Sequence, residues 1–313
     1  MTTDNRTNWS KVIDEVKSSL VWFQRHGVPR PSLRTVFYRL VSQNIIPNSS
    51  QSYKLLSPAT VKARKSGEIA WDCFSDQGRQ VLGNFQENYR SPKQFIQQGI
   101  DFLKNAPQKY TIPRWYKQTQ YVEVWIEKQA LADTFISFLK DRQVKVAVNK
   151  GYPGWSFLYD NCNRLQQVNK KTGKNINVLY FGDFDPSGED MDRHMQQSFA
   201  ILGLKDIINF QRIAVTEERI EKFHLPAIPD NEETLAKVNN DTRLDKFKEK
   251  YGKLYVVELD ALLAIVPEEF KSLVQKSVDR FFNQAIYDEI LAEYTPQQIE
   301  GLVQSTVKFL TDK

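Results

Sequence analysis

The chain has 313 residues, 41% of them hydrophobic and 26% charged. That is enough material for two domains with real cores, and it excludes a disordered tail or a membrane bundle as a description of the whole. Charge is uneven: residues 1–117 hold 18 basic and 8 acidic side chains, residues 118–313 hold 25 and 30, so a basic front suits a polyanion and an acidic rear suits cations.

In chain order, Trp9, Val12, Ile13, Val16, Leu20 and Phe23 recur at spacings of three and four, which predicts an amphipathic helix over 8–25, ended by Gly27 and Pro29. Ser32 can cap a second helix in which Leu33, Val36, Phe37, Leu40 and Val41 share one face. Tyr38 falls roughly 130° from the centre of that face at about 100° per residue, so Phe37 is the expected core residue and Tyr38 a half-exposed one. A third helix is predicted over 58–66, with Lys62, Arg64 and Lys65 facing solvent, followed by a short strand in GEIAWDCF. Helix, turn, helix and strand describe a winged-helix layout, which lays its third helix against a DNA groove. A small helical domain with exposed lysines fits the same pattern.

Residues 105–120 contain two prolines and no period, and are read as the connection between a domain of residues 1–117 and one of residues 118–313. Beyond it YVEVWIE, VKVAVNK, INVLYFGDFD and FQRIAV read as strands alternating with helical stretches. This predicts an α/β domain with a mainly parallel sheet, whose ligands lie at the carboxyl ends of the strands. The segment KLYVVELDALLAIVPEEFKSLVQKSVDRFFNQ is predicted to add a strand and one long helix, and the stretch from Glu293 onward one or two more, making a helical C-terminal extension.

Glu127 ends the first of these strands, and Asp183 and Asp185 end the third. Alternation along DFD sends both aspartates to one side with Phe184 opposite. DFD by itself also fits an ordinary strand-end loop with solvated acids; with Glu127 at the corresponding end of a neighbouring strand, three carboxylates at one sheet edge repel one another unless a cation lies between them. Hard oxygen ligands without an organised His/Cys set favour magnesium, or manganese, over zinc. Pro186, Ser187 and Gly188 lead straight into a helix whose first N–H groups suit a phosphate. Cys73 and Cys162 stand far apart with no CxxC partner; they are read as buried thiols rather than a disulfide or zinc pair. His26, His194 and His224 form no site, and Glu258 and Asp260 in VVELDAL are read as mainly structural.

Glu127 after one apolar strand and DFDPSG after another resemble the TOPRIM domain shared by topoisomerases, primases and some nucleases. Between them NKGYPG, residues 149–154, narrows the likeness. The combination resembles the A subunit of type IIB topoisomerases (topoisomerase VI) and its relative, the meiotic double-strand-break transesterase, where a Lys-Gly-Tyr-Pro loop precedes a DxDPxG strand end. Upstream, SLRTVFYRLV, residues 32–41, is similar to the winged-helix segment in which that family presents its nucleophilic tyrosine, and the matching position is Tyr38. The resemblance covers the first helix-turn-helix and most of residues 121–215. Residues 53–79 do not follow it, and no GxxxxGK[ST] signature is present, so the chain is expected to be a divergent member.

The resemblance implies a winged-helix domain followed by a TOPRIM-type α/β domain, with double-stranded DNA as substrate. It also implies a homodimer, in which tyrosine and metal site come from different subunits, and allows a separate ATPase subunit. Magnesium would be held by Glu127, Asp183 and Asp185 while Tyr38 attacks a phosphodiester to give a 5′-phosphotyrosyl link. Arg34, one turn before Tyr38, is placed to favour the phenolate or grip the phosphate. Lys128 and Lys150 either touch phosphates or stay solvated. Two other readings are a hydrolytic, metal-dependent TOPRIM nuclease with water as nucleophile, as in defence or mobile elements, and a non-catalytic DNA-binding subunit. No stretch approaches the roughly 18 consecutive apolar residues of a membrane span, and the opening MTTDNRTNWSKVIDEVK has no apolar signal segment. The expected location is therefore the cytoplasm, with no membrane partner.

Overall fold

A computed structural model of the chain describes residues 8–75, 91–106, 111–151, 153–227, 241–252 and 254–311. Helix α1 spans Trp9–Arg25, with the Asn8 side chain accepting the Ser10 and Lys11 N–H groups at 3.2 and 3.4 Å, as expected of an Asn N-cap. Helix α2 spans Leu33–Ser42 and Ser32 Oγ accepts the Thr35 N–H at 3.0 Å. Helix α3, Ser50–Lys65, begins eight residues before the predicted start and carries Pro58 inside it. Ser49 caps this longer helix, accepting the Ser52 N–H at 3.1 Å, and Pro58 inside it forgoes one intrahelical bond. The strand expected in GEIAWDCF is absent: residues 66–75 fold as turns. Among the described residues no strand lies beside them, and their N–H groups turn back, Ile69 to the Ala63 carbonyl at 3.3 Å and Ser75 to that of Pro31 at 3.1 Å.

The alternation predicted for the rear half is present. Strands β1 (Gln120–Ile126), β2 (Lys145–Val148), β3 (Asn175–Phe181) and β4 (Ile208–Ala214) form one sheet, all parallel, in the order β2-β1-β3-β4. Between and after them run α5 (Ala132–Leu139), α6 (Trp155–Thr172), α7 (Pro186–Ile201), α8 (Glu217–Phe223), α9 (Leu244–Tyr251), α10 (Leu259–Ile265) and α11 (Pro267–Asp279). On one face of the sheet Trp125, Ile176, Val178 and Tyr180 bury against Leu158, Cys162 and Leu165 of α6 and Met191, Met195 and Phe199 of α7. On the other, Phe135, Phe181 and Phe270 meet edge to face at centroid distances of 5.0 and 5.6 Å, the arrangement favoured by aromatic quadrupoles. Register pairs Ile126 with both Val148 and Phe181, so the residues following these strands emerge side by side at one rim.

One buried charge sits away from that rim. Glu123 of β1 is 0% exposed and takes both guanidinium nitrogens of Arg164, the Tyr121 hydroxyl at 2.5 Å and the Trp125 indole N–H at 3.2 Å. Removing one partner of such a pair strands a charge in the interior. Arg164→Leu is therefore expected to lower the unfolding free energy by about 3 kcal/mol in urea titrations, and Glu123→Leu in the same chain to recover most of the loss. Equal stability of Arg164→Leu and wild type would show that Glu123 reaches water.

The strand predicted in KLYVVELDAL shrinks to a single antiparallel bridge, in which Phe184 and Val257 exchange N–H···O bonds of 2.8 and 2.9 Å. Glu258 and Asp260 thus open α10 instead of ending a strand. The single long helix expected next is two helices, because Pro267 starts α11 immediately after Val266 ends α10.

The chain divides into two compact units, one of residues 1–79 and 120–281 and one of residues 80–119 and 282–313, rather than at 117/118. The front helices pack with the sheet domain because α10 lies across α2, and Asp260 accepts hydrogen bonds from Ser32 and Thr35 at 2.8 and 2.9 Å. That packing also corrects the expectation for Tyr38, which is 1% exposed: α2 is covered on two sides, by α1 and α3 and by α10, so its second face is no surface. The other unit contains α4 (Pro92–Lys104), α12 (Gln284–Glu293) and α13 (Pro296–Thr311). Within it the Arg114 guanidinium lies 3.8 Å from the Phe282 ring centroid, and Gln118 and Asn283 exchange hydrogen bonds of 2.9 and 2.8 Å. Thirteen α-helices are found among the described residues, and none is long and apolar enough to cross a membrane.

Candidate active site

Glu127 follows β1 directly and is fixed from two sides. Its Oε2 accepts the Asp183 N–H at 2.9 Å and the Tyr180 hydroxyl at 3.2 Å. Gly182 is what permits this approach: a Cβ there would stand 2.7 Å from Glu127 Oε2 and 2.5 Å from the Tyr180 hydroxyl oxygen.

Asp183 is buried, with Oδ1 accepting the Leu259 N–H at 2.8 Å and Oδ2 at 2.9 Å from Lys128 Nζ. The same ammonium lies 3.0 Å from Asp260 Oδ2 and 3.2 Å from Glu258 Oε2. Arg34 Nε approaches Glu258 Oε2 from the other side at 3.5 Å. Lys128 therefore faces three carboxylates here, not a phosphate. Glu258 and Asp260, expected to be mainly structural, join the rim; the signal for them is two acids in an otherwise apolar VVELDALLAIV run, where a buried charge calls for a partner.

Asp185 caps α7, its Oδ1 accepting the Ser187 hydroxyl at 2.8 Å and the Gly188 N–H at 2.5 Å. Phe184 is turned away into a ring cluster with Phe247 and Tyr251, as the alternation of DFD requires. Gly188 is the second glycine that geometry demands, because a Cβ there would collide with the Asp183 carbonyl. Arg212 braces this turn, donating to the carbonyls of Asp183 at 2.6 Å, Val215 at 3.2 Å and Gly188. Sequence reasoning misses this residue, whose one signal is an arginine inside the strand FQRIAV.

Electrostatics follow from this crowding. Burial raises the Glu127 carboxyl; the Asp183 N–H opposes that rise and the Asp185 carboxylate adds to it. Burial pushes Asp183 up to about 8 against the pull of Lys128, with Glu127 and Glu258 adding to the rise. Asp260 is buried too, yet Lys128 and the hydroxyls of Ser32 and Thr35 hold it below the ordinary range. Burial alone would depress Lys128, but Asp183, Asp260 and Glu258 raise it well above a free lysine.

A carboxyl raised in the fold binds its proton more tightly folded than unfolded. Asp183 therefore disfavours folding increasingly as pH rises from its unfolded value of 3.8 toward 8, by about 1.4 kcal/mol for each pH unit crossed between the two values. The Tm of Asp183→Asn should fall less between pH 4 and pH 8 than that of wild type. Parallel Tm profiles for the two proteins would mean that Asp183 is ionised without strain.

Of the other expected residues, Lys62, Lys65 and Lys150 are all exposed. Arg64 is half-buried, its guanidinium 5.7 Å from the Trp71 ring and 5.5 Å from that of Phe74, so it is not the solvent-facing side chain expected on α3. Arg34 lies 4.1 Å from the Tyr53 ring centroid. Tyr38 is close enough to the rim to feel its charges: burial raises its phenol, Glu258 adds to the rise, and Arg34 and Lys128 oppose it. Cys162 is buried as expected, whereas Cys73 is only partly so.

Among the described residues no three His, Cys, Asp or Glu side chains are gathered round one point as the ligands of an ion would be. The donor chemistry nonetheless fits a hard cation. Glu127, Asp183, Asp185 and Glu258 offer only carboxylate oxygens, and the raised Glu127 and Asp183 would be relieved by a second positive charge. No family model, no curated protein and no solved structure matches this chain.

Proposed function

We propose that the chain cleaves DNA phosphodiester bonds at the carboxyl rim of its sheet, as a divalent-metal-dependent nuclease of TOPRIM type with water as the nucleophile. The observation that carries this reading is the convergence of Glu127, Asp183, Glu258 and Asp260, from three separate segments, around Lys128 or its immediate neighbours. Glu127, Asp183 and Asp185 would hold magnesium or manganese, with Glu258 beside them. When bound, such an ion supplies charge neutralisation at the phosphate and the leaving oxygen. Lys128 would share that task once a second cation takes over part of its carboxylate partnership. Arg212 holds the Asp183–Gly188 turn in place, and Lys62 and Lys65 of α3 would meet the DNA backbone. A homodimer would provide one cut per strand, and an ATPase partner is compatible with the same site.

Water is favoured over Tyr38 because that side chain is 1% exposed and burial holds its proton more firmly than in a free phenol. The transesterase reading, in which Tyr38 forms a 5′-phosphotyrosyl link, draws support from the Arg34 guanidinium one turn away and requires α10 to move off α2. Incubation of the protein with supercoiled plasmid and magnesium, followed by a search for protein covalently attached to DNA ends, tests both. Nicked or linear product with free ends supports the hydrolase, and protein-blocked ends support the transesterase. Salt-sensitive binding without any cutting supports a non-catalytic subunit.

A further inference from the structure

Helix α6 follows β2 and begins at Trp155, and it carries an outward stripe that the proposed cleavage site does not use. Trp155 is 54% exposed and Tyr159 57% exposed, one helical turn apart, about 6 Å at their Cβ atoms. At about 100° per residue, Asn163, Gln166 and Lys170 continue the same stripe. Asn163 and Lys170 are exposed, Gln166 is partly so, and the Lys170 ammonium donates to Gln166 Oε1 at 3.3 Å. The stripe holds no carboxylate; Asp160 lies about 100° round the helix from Tyr159. It therefore offers two aromatic faces, two amides and a lysine over about 22 Å, with no charge that would repel a polyanion.

At the upper end of the stripe the N-cap of α6 is Gly154, which has no side chain to cap the helix, leaving the N–H groups of the first turn for an outside acceptor. Lys150 is exposed on the same loop, and Asn149 at the end of β2 is buried with both amide atoms lacking a partner. Asn149 hydrogen-bonds through its N–H to the Ile126 carbonyl at 2.8 Å, and Lys150 through its N–H to that of Glu127 at 3.0 Å, so the loop is tied to the acidic rim.

We infer that the Trp155–Tyr159 ledge stacks unpaired nucleobases, so that the substrate is DNA with a single-stranded stretch beside the cutting rim. The proposal rests on the DNA-cleaving reading and deepens it by naming the substrate form. In a duplex the base faces are occupied by their neighbours, whereas an unwound strand presents them, and aromatic side chains take any base. The length of the stripe suits about four nucleotides, the lower end of the range for single-strand binding surfaces.

The test uses the whole protein, a fluorescein-labelled dT 12-mer and a 12-base-pair duplex, with binding read by anisotropy at fixed salt without divalent ions. Trp155→Ala/Tyr159→Ala should weaken dT 12-mer binding at least tenfold and change duplex binding less than twofold. Trp155→Phe/Tyr159→Phe should stay within threefold of wild type on both. Unchanged dT 12-mer affinity in the alanine variant, or an equal loss on both probes, would overturn the proposal. So would a shift of that variant from dimer to monomer in sedimentation, which would identify the ledge as a contact between copies of the chain. If wild type binds neither probe, the DNA reading itself fails, an outcome distinct from failure of the ledge alone.

Discussion

Lys128→Met is expected to lower the unfolding free energy by about 3–5 kcal/mol, the largest stability loss of any single change at the rim. Its ammonium lies within 3.2 Å of carboxylate oxygens on Asp183, Glu258 and Asp260. Asp260 is 1% and Asp183 8% exposed, so neither can turn to water when the lysine goes. Methionine fills a similar volume, and the loss should therefore report charge and not a cavity. At about 2.1 cal/mol/K of unfolding entropy per residue, a chain of 313 residues shifts its Tm by roughly 1.5 °C for each kcal/mol, so the effect amounts to about 5–7 °C and can be read by calorimetry. Magnesium sharpens the experiment. If the carboxylates can take a divalent ion, millimolar magnesium should raise the Tm of Lys128→Met more than that of wild type, since binding to the folded state alone stabilises it. A variant as stable as wild type, with no response to magnesium, would mean that these acids do not need a cation.

Asp183→Asn is expected to reduce magnesium-dependent plasmid cleavage by at least 100-fold, whereas Tyr38→Phe should stay within about threefold of wild type, the split anticipated when water and not phenol attacks. Asparagine preserves the shape of Asp183 and an acceptor for the Leu259 N–H, which lies 2.8 Å from the native carboxylate, so the fold should survive while the charge is lost. Tyr38→Phe removes only a buried hydroxyl. The opposite outcome, with Tyr38→Phe inactive and Asp183→Asn also inactive, would move the conclusion to the transesterase and require α2 to separate from α10 during the reaction. Activity that survives Asp183→Asn would remove the rim from the chemistry altogether.

Much of the scaffold is readable from local patterns. The four strands and the helices between them follow from apolar runs bounded by glycine, proline and polar turns, and the placement of Glu127, Asp183 and Asp185 at strand ends follows from where those runs stop. Three of the misreadings share one cause, a distant partner. Among the described residues GEIAWDCF has no neighbouring strand despite its strand composition, and KLYVVELDAL pairs only through Val257, because a ladder needs a second segment that composition does not reveal. Tyr38 lies off the apolar stripe of α2, yet it is buried because α10, more than 200 residues later in the chain, supplies a second wall.

The sequence by itself determined the period of each element and the side of each strand on which a carboxylate stands, since both depend on backbone geometry within a few residues. The tertiary structure alone decided which charges meet: Asp260 bonds Ser32 across 228 positions and Lys128 across 132. Those meetings depend on which faces pack once the chain is compact, where a carboxylate removed from water must find whichever donor the fold has brought beside it.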